Sequence, residues 1–199
     1  MQLRTPRVLL RRWRSQDLAP FAALNADLQV MEYFPAPLTE QQSASLIARA
    51  ERDFEQFGFG LWALELPGEE PLIGFLGLMP VPDGLPFAPA VEVGWRLASR
   101  YWGRGLATEA GREVTRSAFE EARLPELVSY TATQNERSRR LMCRLGMVRD
   151  PDEDFEHPAL APGHRLSRHV LYRLPAERWR RNMLDACAAD TRTRPGRKS

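Results

Sequence analysis

The chain has 199 residues, 43% of them hydrophobic and 27% charged, which is enough for one domain with a sizeable core. A formal net charge of +2 argues against a dedicated nucleic-acid binder, and the spacing of the two cysteines, Cys143 and Cys187, predicts neither a disulfide scaffold nor a metal site. No segment approaches the roughly 20 apolar residues that cross a bilayer, and the N terminus lacks a signal-peptide pattern, so a cytoplasmic location without membrane contact is expected.

The predicted elements, in chain order, mix strands and helices. Apolar and β-branched runs bounded by turn residues predict strands at 8–13, 61–66, 72–79, 91–97, 127–131 and 168–174. Helical periodicity and capping residues predict helices at 18–28, 39–58, 106–121 and 135–145, with Ser15 as the N-cap of the first. This order predicts a single α/β domain, a mixed central sheet flanked by helices.

Two segments lie outside this regular pattern. Residues 150–167 contain three prolines and form a long insertion, and loops of more than about 12 residues are commonly functional or disordered. The final stretch, 191–199, reads TRTRPGRKS and is basic without large apolar side chains. We therefore expect the domain to span 1–178, followed at 179–199 by a helix remnant and a basic flexible tail.

The most informative stretch is 91–110, which reads VEVGWRLASRYWGRGLATEA. A predicted strand runs into Gly103-Arg104-Gly105, which opens directly onto a predicted helix. Glycines let backbone amides approach a ligand, and a helix start adds unpaired N–H donors with a partial positive charge. The pattern indicates an anion site suited to a pyrophosphate. It lacks the third glycine of a dinucleotide-binding fingerprint and the Gly-Lys-Ser/Thr ending of a P-loop.

A second patch, 134–147, reads QNERSRRLMCRLGM. Asn135 stands at a helix start, Ser138 lies one turn later, and Gly146 ends the helix. Taken alone this is an ordinary capped helix. Both patches together, about thirty residues apart, resemble the two cofactor-binding motifs of the GNAT acetyltransferase superfamily.

The resemblance is closest to the branch that includes the ribosomal-protein alanine N-acetyltransferases. Residues 101–110 match its YWG-basic-G-aromatic/aliphatic-A-T/S-E-A pattern, and the second patch matches Asn-x-x-Ser/Ala…Leu-Gly-Phe with Met147 in place of the phenylalanine. The similarity is strongest over 91–148, and the order of elements extends it to 7–175.

The resemblance implies a GNAT-type domain whose central sheet splays between the strands at 91–97 and 127–131. The pantetheine arm of acetyl-CoA, the expected co-substrate, would lie in this gap. Backbone amides near Trp95 and Leu97 would bond the pantetheine and polarise the thioester carbonyl.

The resemblance also implies how the loop binds the pyrophosphate. The groups expected to hold it are the backbone amides of Trp102, Gly103, Arg104, Gly105, Leu106 and Ala107, with the Thr108 hydroxyl. Asn135 would contact the pantetheine or stabilise the loop. Two registers fit the motif, one beginning at Trp102 and one at Arg100, and the first is preferred because it starts the helix at Leu106.

Transfer to an amine needs a base, because amines are mostly protonated at neutral pH. Base candidates are Glu92 on the strand lining the gap, Asp150 after the second motif, His157 in the insertion and His169 at the last strand. Many family members place a tyrosine acid at the position occupied here by Met142, so Ser138 is the substitute suggested by the resemblance. Acidic residues of the insertion, 152–156, would meet the positive charge of the amine.

The function expected is acetyl transfer from acetyl-CoA to a primary amine, either a protein N-terminus or a small molecule, in a ternary complex. Two other classes stay open: a non-catalytic CoA-binding regulatory module, and an RNA- or ribosome-associated protein using the arginine-rich tail. The partners expected are acetyl-CoA, an amine acceptor and, as a candidate, a second copy of the chain.

Overall fold

The structure, a computed structural model, describes the backbone of residues 2–193 and the side chains of residues 2–185. Its strands are β1 Leu3–Arg4, β2 Leu9–Arg11, β3 Leu61–Leu66, β4 Glu70–Pro80, β5 Val91–Leu97, β6 Glu126–Ala132, β7 Val148–Arg149, β8 Phe155–Glu156 and β9 Arg168–Pro175. Its α-helices are α1 Leu18–Ala26, α2 Glu40–Phe57, α3 Leu106–Glu120, α4 Glu136–Arg144 and α5 Ala176–Thr193. Short 3-10 turns lie at Ser15–Asp17, Ser99–Tyr101 and Pro151–Glu153.

The strands form one mixed sheet in the order β1-β2-β3-β4-β5-β6-β9-β7, with β8 added to β9. All neighbouring strands are antiparallel except β5 and β6, which are parallel and share the single register pair Glu92 and Val128. Beyond that pair the two strands separate. The α/β domain with a splayed mixed sheet, predicted from the sequence, is confirmed.

The helices cover both faces of the sheet because each presents one apolar stripe. On one face, α3 buries Leu106, Ala110 and Val114 in the largest core cluster. On the other, Phe21 of α1 packs against Phe75 of β4 in a second cluster, with ring centroids 5.9 Å apart. The sheet therefore lies between two helical layers.

Capping chemistry explains where two helices begin. Thr39 accepts a hydrogen bond from the Gln42 amide and opens α2, which ends at Gly58 in the left-handed conformation, as predicted. Ser15, predicted as an N-cap, instead lies inside a 3-10 turn. Arg14 is the N-cap of that turn, and the Asp17 carboxylate accepts the Arg14 amide at 2.8 Å. Asp17 in turn occupies the N-cap position of α1, without a side-chain cap hydrogen bond.

The insertion is more ordered than its prolines indicate. Its residues 155–156 form β8, which pairs with β9 on the edge of that strand opposite β6. The final helix α5 crosses the boundary expected at residue 178, and Trp179 packs on Phe119 with ring centroids 5.3 Å apart. The last six residues of the basic tail, 194–199, lie outside the described residues.

None of the described helices combines the length and the apolar character that a membrane span requires.

Candidate active site

The gap between β5 and β6 exposes backbone donors. In an antiparallel pair, every second residue of a strand forms backbone hydrogen bonds with the neighbouring strand. The Ala98 amide donates to the Ile73 carbonyl at 2.9 Å, so the even-numbered residues of β5 are those that bond to β4. The amides of Trp95 and Leu97 therefore point away from β4 and into the gap. On β6 the odd-numbered residues form the backbone hydrogen bonds to β9. The backbone of the even-numbered Tyr130 therefore points into the gap, towards β5.

A row of unpaired amides follows the gap. Gly103 and Gly105 adopt φ values of 75° and 78°, which a glycine reaches without strain, and Gly105 is the N-cap of α3. Within residues 2–193, no protein acceptor bonds the amides of residues 103–108. The first bond at this helix start is donated by Glu109 to the Gly105 carbonyl, at 3.0 Å. Six consecutive donors at a helix N-terminus are an arrangement that suits an anion, and this is where the sequence predicts one.

The N-terminal segment braces this loop from outside, which the sequence did not indicate. Arg7 Nε donates to Glu109 Oε2 at 2.7 Å, and its Nη1 donates to the Arg104 carbonyl at 3.0 Å. Thr5 Oγ1 donates to the other Glu109 oxygen at 2.6 Å. Because the partners are about a hundred residues apart, local patterns carry no signal of this contact.

The side chains of the loop serve structure more than ligand contact. Trp102 Nε1 donates to the Leu97 carbonyl at 2.8 Å, which fixes the loop against the end of β5. The Arg104 side chain turns outward to Glu69, with an N–O distance of 2.8 Å. Only the backbone of Arg104 is thus directed at the expected pyrophosphate. The Thr108 hydroxyl has no hydrogen-bond partner among residues 2–185 and lines the groove.

Asn135 connects the gap to α4. Its Oδ1 accepts the Ser138 amide at 3.1 Å, and its Nδ2 donates to Thr131 Oγ1 at 3.0 Å. Both ends of the side chain are therefore engaged with protein, which favours the stabilising role over direct contact with pantetheine. Ser138 lines the groove half-buried, whereas Met142 is fully buried and belongs to the core.

We expect Asn135→Ala to lower the free energy of unfolding by about 1 kcal/mol, the usual loss on removing an N-cap. Urea unfolding measures this, and Asn135→Ser is the matched variant, because serine restores the cap but is too short to reach Thr131. If Asn135→Ala instead unfolds like the wild type while acetyl-CoA binding collapses, Asn135 contacts the ligand rather than stabilising the helix.

Gap and loop open into one groove of about 1800 Å³. Single small-ligand pockets usually measure about 300–1000 Å³, so the space suits two substrates together. The loop between α1 and α2 closes the groove at one end with Tyr33 and Phe34, and the insertion contributes His157 and Leu160. An acceptor in this groove would lie between the α1–α2 loop, the insertion and the face of β5.

Glu92 is the one carboxylate among the predicted bases that lies in this groove, half-buried on β5. Burial raises the pKa of Glu92 to about 7, and the nearby Arg49 and the Tyr130 hydroxyl act against that rise. Burial and the Glu92 charge raise the pKa of Tyr130. A Cβ on Gly94 would lie 3.4 Å from Glu92 Oε1, so the carboxylate leans over that glycine. Glu92 is thus poised to exchange a proton near neutral pH.

The two histidines belong to an aromatic wall beside Tyr130. The rings of His157 and His169 are 4.9 Å apart, and His169 packs on Phe155 at 5.6 Å. Burial lowers the pKa of both histidines, which keeps them neutral at pH 7. His169 Nδ1 lies 3.2 Å from the Ser167 carbonyl, which leaves one ring nitrogen for the groove.

Asp150 and the acidic insertion do not line the groove. Asp150 Oδ1 accepts the Asp152 amide at 3.0 Å, the turn geometry expected of a residue that caps a short 3-10 segment. Glu153 pairs with Arg173 at 2.6 Å, and Asp154 is held by Arg149. The structure therefore directs these carboxylates to arginines at the edge of the sheet instead of to an incoming amine.

Comparison with known proteins agrees with this geometry. The family model described as acetyltransferase (GNAT) domain matches residues 7–148. The chain is 34% identical over 128 residues to FsC-acetyl coenzyme A-N(2)-transacetylase of Aspergillus fumigatus, covering 62% of this chain and 53% of that protein. The chain thus spans about half the length of that relative. It is 25% identical over 181 residues to the uncharacterized N-acetyltransferase YnaD of Bacillus subtilis, covering 90% of this chain and 99% of that one.

Solved structures share the fold. An acetyltransferase from Agrobacterium tumefaciens has a TM-score of 0.71 at 27% identity, covering 87% of this chain and 94% of the other. The microcin C7 self-immunity acetyltransferase MccE, solved in complex with acetyl-CoA and AMP, has a TM-score of 0.69 at 12% identity, covering 85% and 93%. At that identity the second likeness concerns the fold alone.

Proposed function

The chain is a member of the GNAT family of acyl-CoA-dependent acyltransferases, and from that premise we propose that it transfers an acetyl group from acetyl-CoA to a primary amine by direct attack in a ternary complex. The row of unpaired amides at residues 103–108 carries this proposal. Such donors at a helix start suit a pyrophosphate, and the groove leads from them to Glu92.

In the proposed reaction, the amides of Trp95 and Leu97 orient the pantetheine and the thioester in the gap. A donor aimed at the thioester oxygen stabilises the negative charge that develops when the amine attacks. The C–N bond forms, the C–S bond breaks, and the electron pair leaves on the sulfur of coenzyme A.

Glu92 supplies the base in this proposal, directly or through a water. It takes one proton from the attacking amine, and its raised pKa suits that exchange near pH 7. Ser138, on the α4 side of the groove, is the proposed donor to the leaving thiolate. With a thiol pKa of about 8.5, that departure needs little assistance.

The acceptor panel follows from the resemblances. Residues 101–110 support a kinship with the ribosomal-protein alanine branch, so peptides with an N-terminal alanine belong in it. The name of the Aspergillus relative, FsC-acetyl coenzyme A-N(2)-transacetylase, adds FsC to the panel, and small-molecule primary amines complete it. A cytoplasmic location and assembly into a homodimer are further proposals based on the sequence.

Calorimetric titration tests the co-substrate, and release of the CoA thiol in the presence of each amine tests turnover. We expect micromolar binding of acetyl-CoA, weaker binding of dephospho-CoA, no binding of ATP, and thiol release that depends on the amine. Binding without turnover for any amine would favour the regulatory CoA-binding module. Absence of binding would contradict the proposed function altogether.

A further inference from the structure

Arg96 is a buried cation on the face of β5 that turns towards α1 and α2. Its residue surface is 9% exposed, and it lines the groove between Phe34 and Phe75, whose ring centroids lie 4.2 Å and 5.5 Å from its guanidinium carbon. Its Nη1 donates to Asn25 Oδ1 at 2.6 Å, and its Nε has no hydrogen-bond partner. Among the described side chains, no carboxylate forms an ion pair with it.

The same chain shows how it neutralises a buried arginine elsewhere. Arg11, with 3% of its residue surface exposed, contacts two carboxylates, Asp17 at 2.7 Å and Glu65 at 2.6 Å. Removing a cation from water is costly unless an anion and hydrogen bonds compensate. Burial lowers the pKa of Arg96 to about 10, which still leaves it charged at neutral pH. The contrast with Arg11 indicates that the counter-charge of Arg96 comes from outside the chain.

The surroundings restrict that anion. Arg96 and Glu92 lie four residues apart on one strand, so both face the acceptor side of the groove, about 13 Å apart at their Cα atoms. Between them lies Gly94, which has no side chain. One guanidinium balances the single charge of a carboxylate, and its planar N–H groups match that shape. A phosphate, with up to about two charges, would leave excess negative charge buried.

We propose that Arg96 binds a carboxylate of the acceptor, so that the molecule acetylated by this protein carries an acidic group beside its amine. This inference rests on the proposed acetyl transfer in the same groove. Two sources share the chemistry: the carboxylate of a free amino acid, and an acidic side chain close to the N terminus of a peptide.

Bisubstrate compounds test the inference without requiring turnover. In each, the CoA sulfur is joined through CH2–C(=O) to the nitrogen of a test acceptor. Three isosteric pairs compare an acid with its amide: glycine with glycinamide, β-alanine with β-alaninamide, and aspartic acid α-amide with asparagine α-amide. The first two pairs represent amino acids of different spacing, and the third represents an acidic peptide N-terminus.

We expect the acid of at least one pair to bind at least tenfold more tightly than its amide. Arg96→Gln should reduce that ratio to less than twofold. Arg100→Gln, which removes the same charge outside the groove, should leave it unchanged. Binding of CoA alone and the thermal unfolding midpoint report whether each variant is folded.

The outcomes separate the two proposals. If acids and amides bind equally well to the wild-type protein, the inference about Arg96 is wrong while acetyl transfer stands. If no compound binds, the proposed function itself fails. An acid preference that survives Arg96→Gln would assign the carboxylate to another residue. Should Arg96→Gln not fold, Arg96→Lys takes its place, and equal binding of acids and amides to the wild-type protein would still refute the inference.

Discussion

Replacing Gly105 by glutamate is expected to abolish binding of acetyl-CoA. Gly105 has φ 78° and is the N-cap of α3. Its amide is therefore one of the six unpaired donors at the N-terminus of this helix. A carboxylate there would place negative charge where a pyrophosphate has to lie, and a side chain in the left-handed region adds about 1–2 kcal/mol of strain. We expect at least about 100-fold weaker binding, equivalent to roughly 2.7 kcal/mol.

Two control variants separate charge from strain. Gly105→Ala adds the strain and a Cβ 3.5 Å from Arg7 Nη2, but no charge, so we expect a loss of stability with only a few-fold loss of affinity. Gly163→Glu places the same side chain at φ 79° in open space outside the groove and should bind acetyl-CoA like the wild type. Calorimetry on the three proteins decides. Unchanged affinity in Gly105→Glu would refute the assignment of this loop to the pyrophosphate.

The loop could be predicted because its signals are local. A strand, two glycines and the start of an apolar helical stripe are adjacent in the sequence, and α3 begins at Leu106 as the preferred register requires. The identity of an N-cap residue is harder to predict, because several polar residues near a helix start can accept the first free amides. At the first turn Arg14, not Ser15, is the N-cap, and Asp17 supplies the carboxylate that accepts the Arg14 amide. The local sequence therefore narrows the N-cap to a few adjacent polar residues but does not identify which one it is.

The rest of the site depends on contacts between distant residues. The bond from Arg7 to Glu109 joins residues 102 positions apart, and Tyr130 meets Glu92 only because β6 lies beside β5. Burial of Arg96 against Phe34 likewise requires the α1–α2 loop to fold over β5. None of these contacts has a sequence motif, so a tyrosine and an arginine in strands look like ordinary strand residues. Burial in the folded protein then shifts the pKa of both Tyr130 and Arg96.

Replacing Glu92 by glutamine is expected to lower kcat by about 100-fold or more, the usual range for loss of a general base. The KM for acetyl-CoA should stay within a few-fold, because Glu92 lies on the face of β5 opposite the core that contacts α3. Burial raises the pKa of Glu92 to about 7, and only the deprotonated form accepts a proton. Activity of the wild type should therefore rise with pH through about 7.

An amine also becomes more reactive as it loses its own proton, so the pH profile needs a matched comparison. With an acceptor amine of low pKa, the rise in rate caused by the amine's own deprotonation moves away from pH 7. Glu92→Gln should keep this rise and lose the inflection near pH 7. Asp150→Asn should behave like the wild type, because Asp150 lies outside the groove and caps a turn. If Glu92→Gln keeps both the rate and the inflection, the proton goes to another group, and the neutral His169 on the same aromatic wall becomes the base to test.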